Sequence, residues 1–140
     1  MRDLWLRVGL GLLAVAAADV GVWALAAPRS FYEDFPGGGR SWVSAVGPYN
    51  EHMVRDIGGL NLALAFLLVV AAVLLERRLV IVALAAYLVN AVPHFIFHVS
   101  HMDELSTGDQ VGQTVSLALG VLLPLALLPL ARARRDVDGA

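Results

Sequence analysis

Four apolar runs of 20 residues or more constrain this 140-residue chain more than any other feature. A helix needs about 20 apolar residues to cross the hydrocarbon core of a bilayer. A chain with four such runs that is 59% hydrophobic and only 16% charged has too little polar surface for a water-soluble bundle. The sequence therefore predicts an all-α integral membrane protein, a four-helix up-down bundle forming one transmembrane domain. The predicted spans are residues 4–27, 53–75, 79–98 and 111–131.

The first run resembles a signal peptide, because arginines precede it and small residues occupy its end, as in Ala24-Leu-Ala-Ala27. Its apolar region is too long for that, and Asp19 interrupts it, so we interpret it as a retained helix. Burying a carboxylate at membrane depth costs at least ~2.5–3.5 kcal/mol on insertion scales. We therefore expect Asp19 to face the second or third span, where it supports a polar site or bonds to a neighbouring backbone group or serine.

A long loop, residues 29–49, separates the first two spans and is rich in aromatic side chains. Aromatic residues at this density beside a helix end are typical of the membrane interface. The glycine triplet at 37–39 allows a turn that other residues resist. We expect the loop to fold over the mouth of the bundle as a short amphipathic cap, with a lid that gates a site as the more specific interpretation. Its aromatic residues are Phe31, Tyr32, Phe35, Trp42 and Tyr49.

Most of the polar residues that could do chemistry near the third span lie on one helical face. Asn90, His94 and His98 follow at i, i+4 and i+8, and His101 comes one turn after His98. The fourth span opens with Gln110, Gln113 and Thr114 at i, i+3 and i+4, again on one face. The sequence thus predicts a polar stripe that runs into an otherwise apolar bundle.

A second polar stretch, residues 50–56, begins the second span. Asn50 is placed to cap that helix. Glu51 and Arg55 stand at i, i+4, as do His52 and Asp56, so Asp56 can orient the imidazole of His52 as carboxylates do for metal-ligating histidines. The alternative is a solvated first turn with ordinary ion pairs, which contribute little.

Arginine placement predicts the orientation of the spans. Seven of the ten arginines share one side of a four-span topology. The positive-inside rule then places both termini and the short middle turn in the cytoplasm, in a multi-pass protein of the plasma membrane. Both histidine stretches fall on the outer side, where an up-down bundle brings them together. The seven are Arg2, Arg7, Arg77, Arg78, Arg132, Arg134 and Arg135.

The histidine and carboxylate side chains favour a transition-metal site for zinc or iron, since imidazoles and carboxylates ligate these ions. His94 and His98 have the i, i+4 spacing with which helices hold one ion. The chain has no cysteine, so thiolate ligands are excluded. We predict that these two histidines and His52 bind the metal, with Glu51, Asp56 or His101 completing its ligand shell.

Three alternatives stay open. His52 with His94 or His98 could hold haem b through one histidine from each of two helices. A metal-free site could bind a small molecule or lipid, or use the same groups for acid–base chemistry, with Arg55, Asn90 and Gln113 contacting the ligand. The cluster could also only stabilise the bundle or bind a partner.

The expected partners follow from the composition. The lipid bilayer is one, and a small-molecule ligand or a homo-oligomer is compatible with the polar site. The net charge of −2 and the lack of a basic patch exclude nucleic acid.

Three segments carry a resemblance to a known group. They are Pro28-Arg-Ser-Phe-Tyr32, Asn50-Glu-His-Met-Val-Arg-Asp-Ile-Gly-Gly59 and Val92-Pro-His-Phe-Ile-Phe-His98. Together with the four spans, they resemble small actinobacterial four-helix membrane proteins that are broadly DoxX-like. The resemblance implies a four-helix membrane fold over nearly the whole chain, and it transfers no catalytic residue.

Overall fold

The computed structural model describes residues 1–132, so the predicted cytoplasmic Arg134 and Arg135 lie outside the described residues. Four of the five α-helices are long and apolar enough to cross a membrane. Each corresponds to one of the four predicted spans, whose bounds differ from those of the helices by at most four residues. The helices are α1 Arg2–Ala26, α2 Pro28–Asp34, α3 Glu51–Leu74, α4 Arg77–Val99 and α5 Thr107–Arg132.

Helices α1 and α3 form an antiparallel pair that two arginines fasten at its ends. Arg7, in the first turns of α1, donates from Nη1 to the carbonyls of Ala72 and Val73 at 2.6 and 3.1 Å. Arg55, near the start of α3, donates from Nη1 to the carbonyl of Leu25 at 2.7 Å. The last carbonyls of a helix lack partners within it, and the C-terminal end of the helix dipole favours a cation. Each arginine therefore satisfies carbonyls at the end of the other helix.

Two glycines let the backbones of α1 and α3 approach closely. A Cβ at Gly58 would lie 3.1 Å from the carbonyl oxygen of Gly21, and a Cβ at Gly21 would lie 3.0 Å from the amide nitrogen of Leu62. Small residues that permit such an approach are typical of helix contacts in membranes. The neighbouring Gly59 has no atom within 4 Å of the corresponding position. Only the first glycine of the Gly58-Gly59 pair therefore serves this contact.

The larger apolar core lies towards the end of the molecule where α3 leads into α4, which we call the turn end. Helix α4 packs on α3 and α5, and α5 also packs on α1. The opposite end, which we call the histidine end, holds the C-termini of α1 and α4 and the N-termini of α3 and α5. There α4 buries only Ala91. The core consists of Leu6, Leu10, Leu13, Ala14, Leu68, Ala71, Leu75, Val80, Ala83, Leu84, Leu127 and Ala131.

The segment between α1 and α3 is more regular than the predicted loop. Pro28 starts α2, because a proline at the first helical position lacks only an amide that would be unpaired there anyway. A short hairpin follows, with β1 Pro36–Gly37 paired to β2 Arg40–Ser41, and then a 3-10 turn at Ser44–Val46. The glycine triplet has positive φ throughout, which explains the choice of glycine for this turn.

The aromatic side chains of this segment pack on one another and on the end of α1. The rings of Phe31 and Phe35 lie 6.1 and 5.9 Å from that of Trp23, and Trp42 lies 6.4 Å from Phe35. Trp42 is only 8% exposed, and its Nε1 donates to Asp109 Oδ1 at 2.9 Å. The segment therefore connects the end of α1 to the start of α5.

Asp19 does not face the other spans, so the expectation that it packs inward is wrong for the single chain. It lies on the exposed face of α1, whereas Ala17 and Gly21 on either side of it are buried. Residues two apart on a helix are separated by about 200°, which places Asp19 opposite the packed face. Within the described residues it has no hydrogen bond or ion pair.

Candidate functional site

The first turn of α3 carries His52 on an exposed surface. Asn50 caps the helix as predicted, with its Oδ1 accepting from the amide of Met53 at 3.2 Å. His52 Nε2 lies 3.2 Å from Asp56 Oδ2, so the predicted pair forms. The two side chains are 85% and 61% exposed, however. The pair therefore points away from the packed helices.

Glu51 and Arg55 also pair as their spacing predicted. Arg55 donates from Nε to Glu51 Oε1 at 2.8 Å, in addition to its bond to the Leu25 carbonyl. Its guanidinium is thus engaged with α1 and with its own helix. In this arrangement Arg55 fastens the α1–α3 pair, and Glu51 holds Arg55 in place.

His94 and His98 are adjacent on the last turns of α4. Their ring centroids are 4.5 Å apart, with the planes at 66°. His98 is half-buried, whereas His94, one turn deeper, and Asn90, two turns deeper, are exposed. The three side chains form the stripe that their i, i+4 spacing predicted, and we call Asn90, His94 and His98 the α4 stripe.

His101, one turn after His98, lies beyond the α4 stripe and has a different role. Its Nδ1 lies 2.8 Å from the carbonyl of Phe97, so Nδ1 carries the proton and donates to that oxygen. Its ring also stacks on that of Phe97 at 4.3 Å. His101 therefore adds a donor to the Phe97 carbonyl at the end of α4, which also accepts from the amide and the hydroxyl of Ser100.

Gln113 is the buried polar residue beside the α4 stripe. It is 3% exposed, and its carboxamide is near enough to His98 for the two side chains to interact. Its Oε1 nevertheless forms no hydrogen bond of acceptable geometry. Leaving a buried acceptor unpaired costs ~1–3 kcal/mol, so a donor that reached this oxygen would stabilise it.

The other polar residues of the predicted α5 face are satisfied locally. Gln110 donates from Nε2 to the carbonyls of Met102 and Leu105 at 3.2 and 3.0 Å. Thr114 donates to the carbonyl of Gln110 at 2.7 Å. Gln113 is therefore the one residue of the three whose side chain is left with an unpaired buried atom among the described residues.

The structure does not assemble the predicted metal shell. Within residues 1–132 no group of three or more histidine, cysteine, aspartate or glutamate side chains is placed to hold an ion. His94 and His98 come together, but His52 pairs with Asp56 and Glu51 with Arg55. The shared site built from α3 and α4 is therefore not formed in the described chain, and metal binding stays a prediction.

Sequence reasoning missed Asp109, which joins three elements. Its carboxylate accepts from Trp42 and from Ser106 Oγ at 2.7 Å, and Arg40 Nε lies 3.3 Å away. Its own amide donates to Ser106 Oγ at 3.2 Å. A serine followed three residues later by an acidic residue is the signature of a capping box at a helix start, so a signal was present at Ser106-Thr-Gly-Asp109.

A shallow polar depression of about 610 Å³ lies beside this junction, between the hairpin segment and the α4–α5 loop. Its wall includes Arg40, Ser44, Glu104 and Asp109. It is open to solvent, and its one arginine is paired with Asp109. The depression thus marks the contact between the two loops, whereas the α4 stripe and Gln113 supply the unsatisfied polar groups.

The chain was compared with known proteins. No family model matches it, and no curated protein and no solved structure is similar to it. Function therefore has to be argued from the residues themselves, and the DoxX-like resemblance stays a prediction.

Proposed function

We propose that this protein binds a small amphipathic molecule through the α4 stripe and Gln113, on the outer side of the plasma membrane. The observation that carries the proposal is the buried Gln113 Oε1, which has no hydrogen-bond partner among residues 1–132 and lies beside the adjacent rings of His94 and His98. The arrangement places this buried acceptor of α5 beside two imidazoles of α4, of which His98 is half-buried and His94 is exposed. A few convergent polar groups in apolar surroundings are typical of ligand sites.

The depth of the stripe supports a ligand that enters from the bilayer. His94 and Asn90 lie about 7 and 13 Å from the end of α4 at 1.5 Å per residue. Both are exposed, in a helix apolar enough to cross a membrane. Because hydrocarbon offers no hydrogen bonds, polar side chains at this depth favour a ligand that supplies them.

The chemistry of the stripe favours an uncharged polar head group. A neutral imidazole offers one donor and one acceptor, and an amide offers both kinds of group. The nearby arginines are already engaged, Arg55 with Leu25 and Glu51 and Arg40 with Asp109. A hydroxyl or carbonyl head group therefore fits better than a phosphate, and a hydroxyl can donate to Gln113 Oε1.

A cross-linking experiment tests this proposal. A long-chain alcohol carrying a photoactivatable diazirine should label the wild-type protein in membranes. One hydrogen bond is worth ~0.5–1.5 kcal/mol, so replacing His94 or His98 by alanine should weaken labelling about 2- to 12-fold each. His52→Ala is the matched control and should change nothing, because His52 pairs with Asp56 alone in the described part of the chain and lies away from the α4 stripe. Equal labelling of all variants, or competition by phosphate-headed lipids alone, would contradict the proposal.

A metal ion is the second candidate, because the 4.5 Å separation of the His94 and His98 rings suits a two-histidine chelate. Zinc prefers four ligands, so the remaining ones have to come from the bound molecule or from another chain. Elemental analysis of protein purified without chelator or a histidine tag separates the candidates. Stoichiometric zinc or iron that disappears in His94→Ala would favour the metal site, and a Soret band would favour haem b.

The orientation is part of the proposal. We propose an up-down bundle with both termini and the turn end in the cytoplasm, supported by Arg2, Arg7, Arg77, Arg78 and Arg132 near that end. A reporter that functions only in the cytoplasm should be active when it is fused to the C-terminus. If instead a reporter that functions only outside the cytoplasm were active at the C-terminus, the orientation would be the reverse, and the α4 stripe would lie on the inner side.

A further inference from the structure

An exposed seam runs along α1 and contains Asp19. Its residues recur at alternating intervals of three and four, the spacing with which one helix meets another in a left-handed coiled coil. All of them lie on the face of α1 that packs against no other helix. We call this surface the α1 seam: Trp5, Val8, Leu12, Val15, Asp19, Val22 and Ala26.

Asp19 sets this seam apart from an ordinary lipid-facing surface. It lies seven residues from the end of α1 at Ala26, which is about 10 Å along the helix. An aspartate costs at least ~2.5 kcal/mol at the centre of a spanning helix, and such residues normally face protein or water-filled cavities. The single chain provides neither, since Asp19 is exposed and has no partner among the described residues. A group outside the described residues must therefore cover it.

The charges of the chain indicate what a second copy can offer. Every described arginine lies near one end of a helix or in the segment between α1 and α3, so none reaches the depth of Asp19 from a parallel neighbour. A second copy brings its own Asp19 to that depth on α1, whereas its exposed Asn90 and His94 reach a similar depth only on a different helix, α4. A protonated carboxyl both donates and accepts, so two of them satisfy each other. Copies inserted in the same orientation meet in parallel, and a two-fold axis along the seam places the two carboxyls opposite each other.

We propose that the α1 seam binds the α1 seam of a second copy of this chain, in a parallel dimer whose Asp19 carboxyls hydrogen-bond across the interface. The interface leaves the α1–α3 contact at Gly21 and Gly58 untouched, because that contact is on the opposite face of α1. The interface also does not involve the α4 stripe, so the proposed dimer does not depend on the proposed ligand site.

The absence of cysteine makes a direct test possible. Single cysteines at Val15 and Val22, on either side of Asp19 along the seam, should form disulfide-linked dimers when membranes are treated with a mild oxidant. A disulfide requires Cα atoms about 4.4–6.8 Å apart, which facing seam positions satisfy. Val69→Cys on the exposed side of α3, where valine is 50% exposed, is the matched control and should stay monomeric. Equal cross-linking at all three positions, or none at the seam, would overturn the proposal.

Asp19 variants carrying Val22→Cys test the role of the carboxyl. Asp19→Asn should keep the dimer, since a carboxamide also donates and accepts. Asp19→Leu should reduce the dimer about 5- to 30-fold, as expected for one polar contact between membrane helices. Its monomer should unfold at an unchanged temperature, because Asp19 bonds to nothing within residues 1–132. An unchanged dimer in Asp19→Leu, a destabilised monomer, or cross-linking only to a different protein with a basic membrane helix would each refute the proposal.

Discussion

Replacing Gly58 by valine should lower the free energy of unfolding by about 1–3 kcal/mol, the usual cost of overpacking a close contact. The first added carbon already lies 2.8 Å from Leu25 Cγ and 3.1 Å from both the Gly21 carbonyl oxygen and the Leu25 amide nitrogen. Two of these atoms belong to the backbone, so the side chains cannot relieve the clash by changing rotamer. The two helices have to separate, which also lengthens the bond from Arg55 to Leu25.

Gly59→Val is the matched control. It makes the same substitution at the next residue, where nothing lies within 4 Å of the added carbon. Thermal unfolding in detergent, followed by circular dichroism, should show a lower midpoint for Gly58→Val and little change for Gly59→Val. Similar losses in both variants would show that helix propensity rather than the α1–α3 contact sets the cost.

The four spans and the local pairs of α3 could be predicted because each depends on residues close in sequence. A span needs only an uninterrupted apolar run. The pairs Glu51–Arg55 and His52–Asp56 need only the i, i+4 spacing of a helix, and both form. Neither inference required knowledge of which helix lies beside which.

The direction that a side chain faces could not be predicted so easily. In a soluble helix the apolar face is the buried one, but lipid is as apolar as the protein core, so hydrophobicity does not mark the packed face. In α1 the packed face is marked by small residues such as Ala17 and Gly21. Asp19 stands between these two, and this spacing already places it on the other side of the helix.

The same limitation affected the predicted metal shell. Topology brings the ends of α3 and α4 to one end of the molecule, but it does not fix the rotation of each helix. Val54 and Gly58 face the packed side of α3, and His52 lies two residues before Val54, about 200° around the helix. The imidazole therefore points outward. The i, i+4 pair His94 and His98 needed no such information and did come together.

Replacing each of two glutamines one turn apart on α5 by leucine should change the free energy of unfolding in opposite directions. Gln113→Leu should raise the free energy of unfolding by about 1–3 kcal/mol, because it removes a buried oxygen that accepts no hydrogen bond from the described residues. Gln110→Leu should lower it by about 1–3 kcal/mol, because it removes both hydrogen bonds from Nε2 and strands the carbonyl of Leu105, whereas that of Met102 still accepts from the Leu105 amide. Both changes replace an amide by an apolar side chain of similar size, so the contrast isolates the hydrogen bonds.

The Gln113→Leu variant also connects stability with function. If Gln113 Oε1 is kept unpaired in order to bind the ligand, the more stable variant should lose labelling by the diazirine alcohol. Sites built for binding are often the places where a chain gives up stability. Thermal unfolding and labelling should be measured on the same membrane preparations of both variants. A Gln113→Leu protein that is less stable than the wild type, yet binds the probe equally well, would show that this amide only joins α5 to His98.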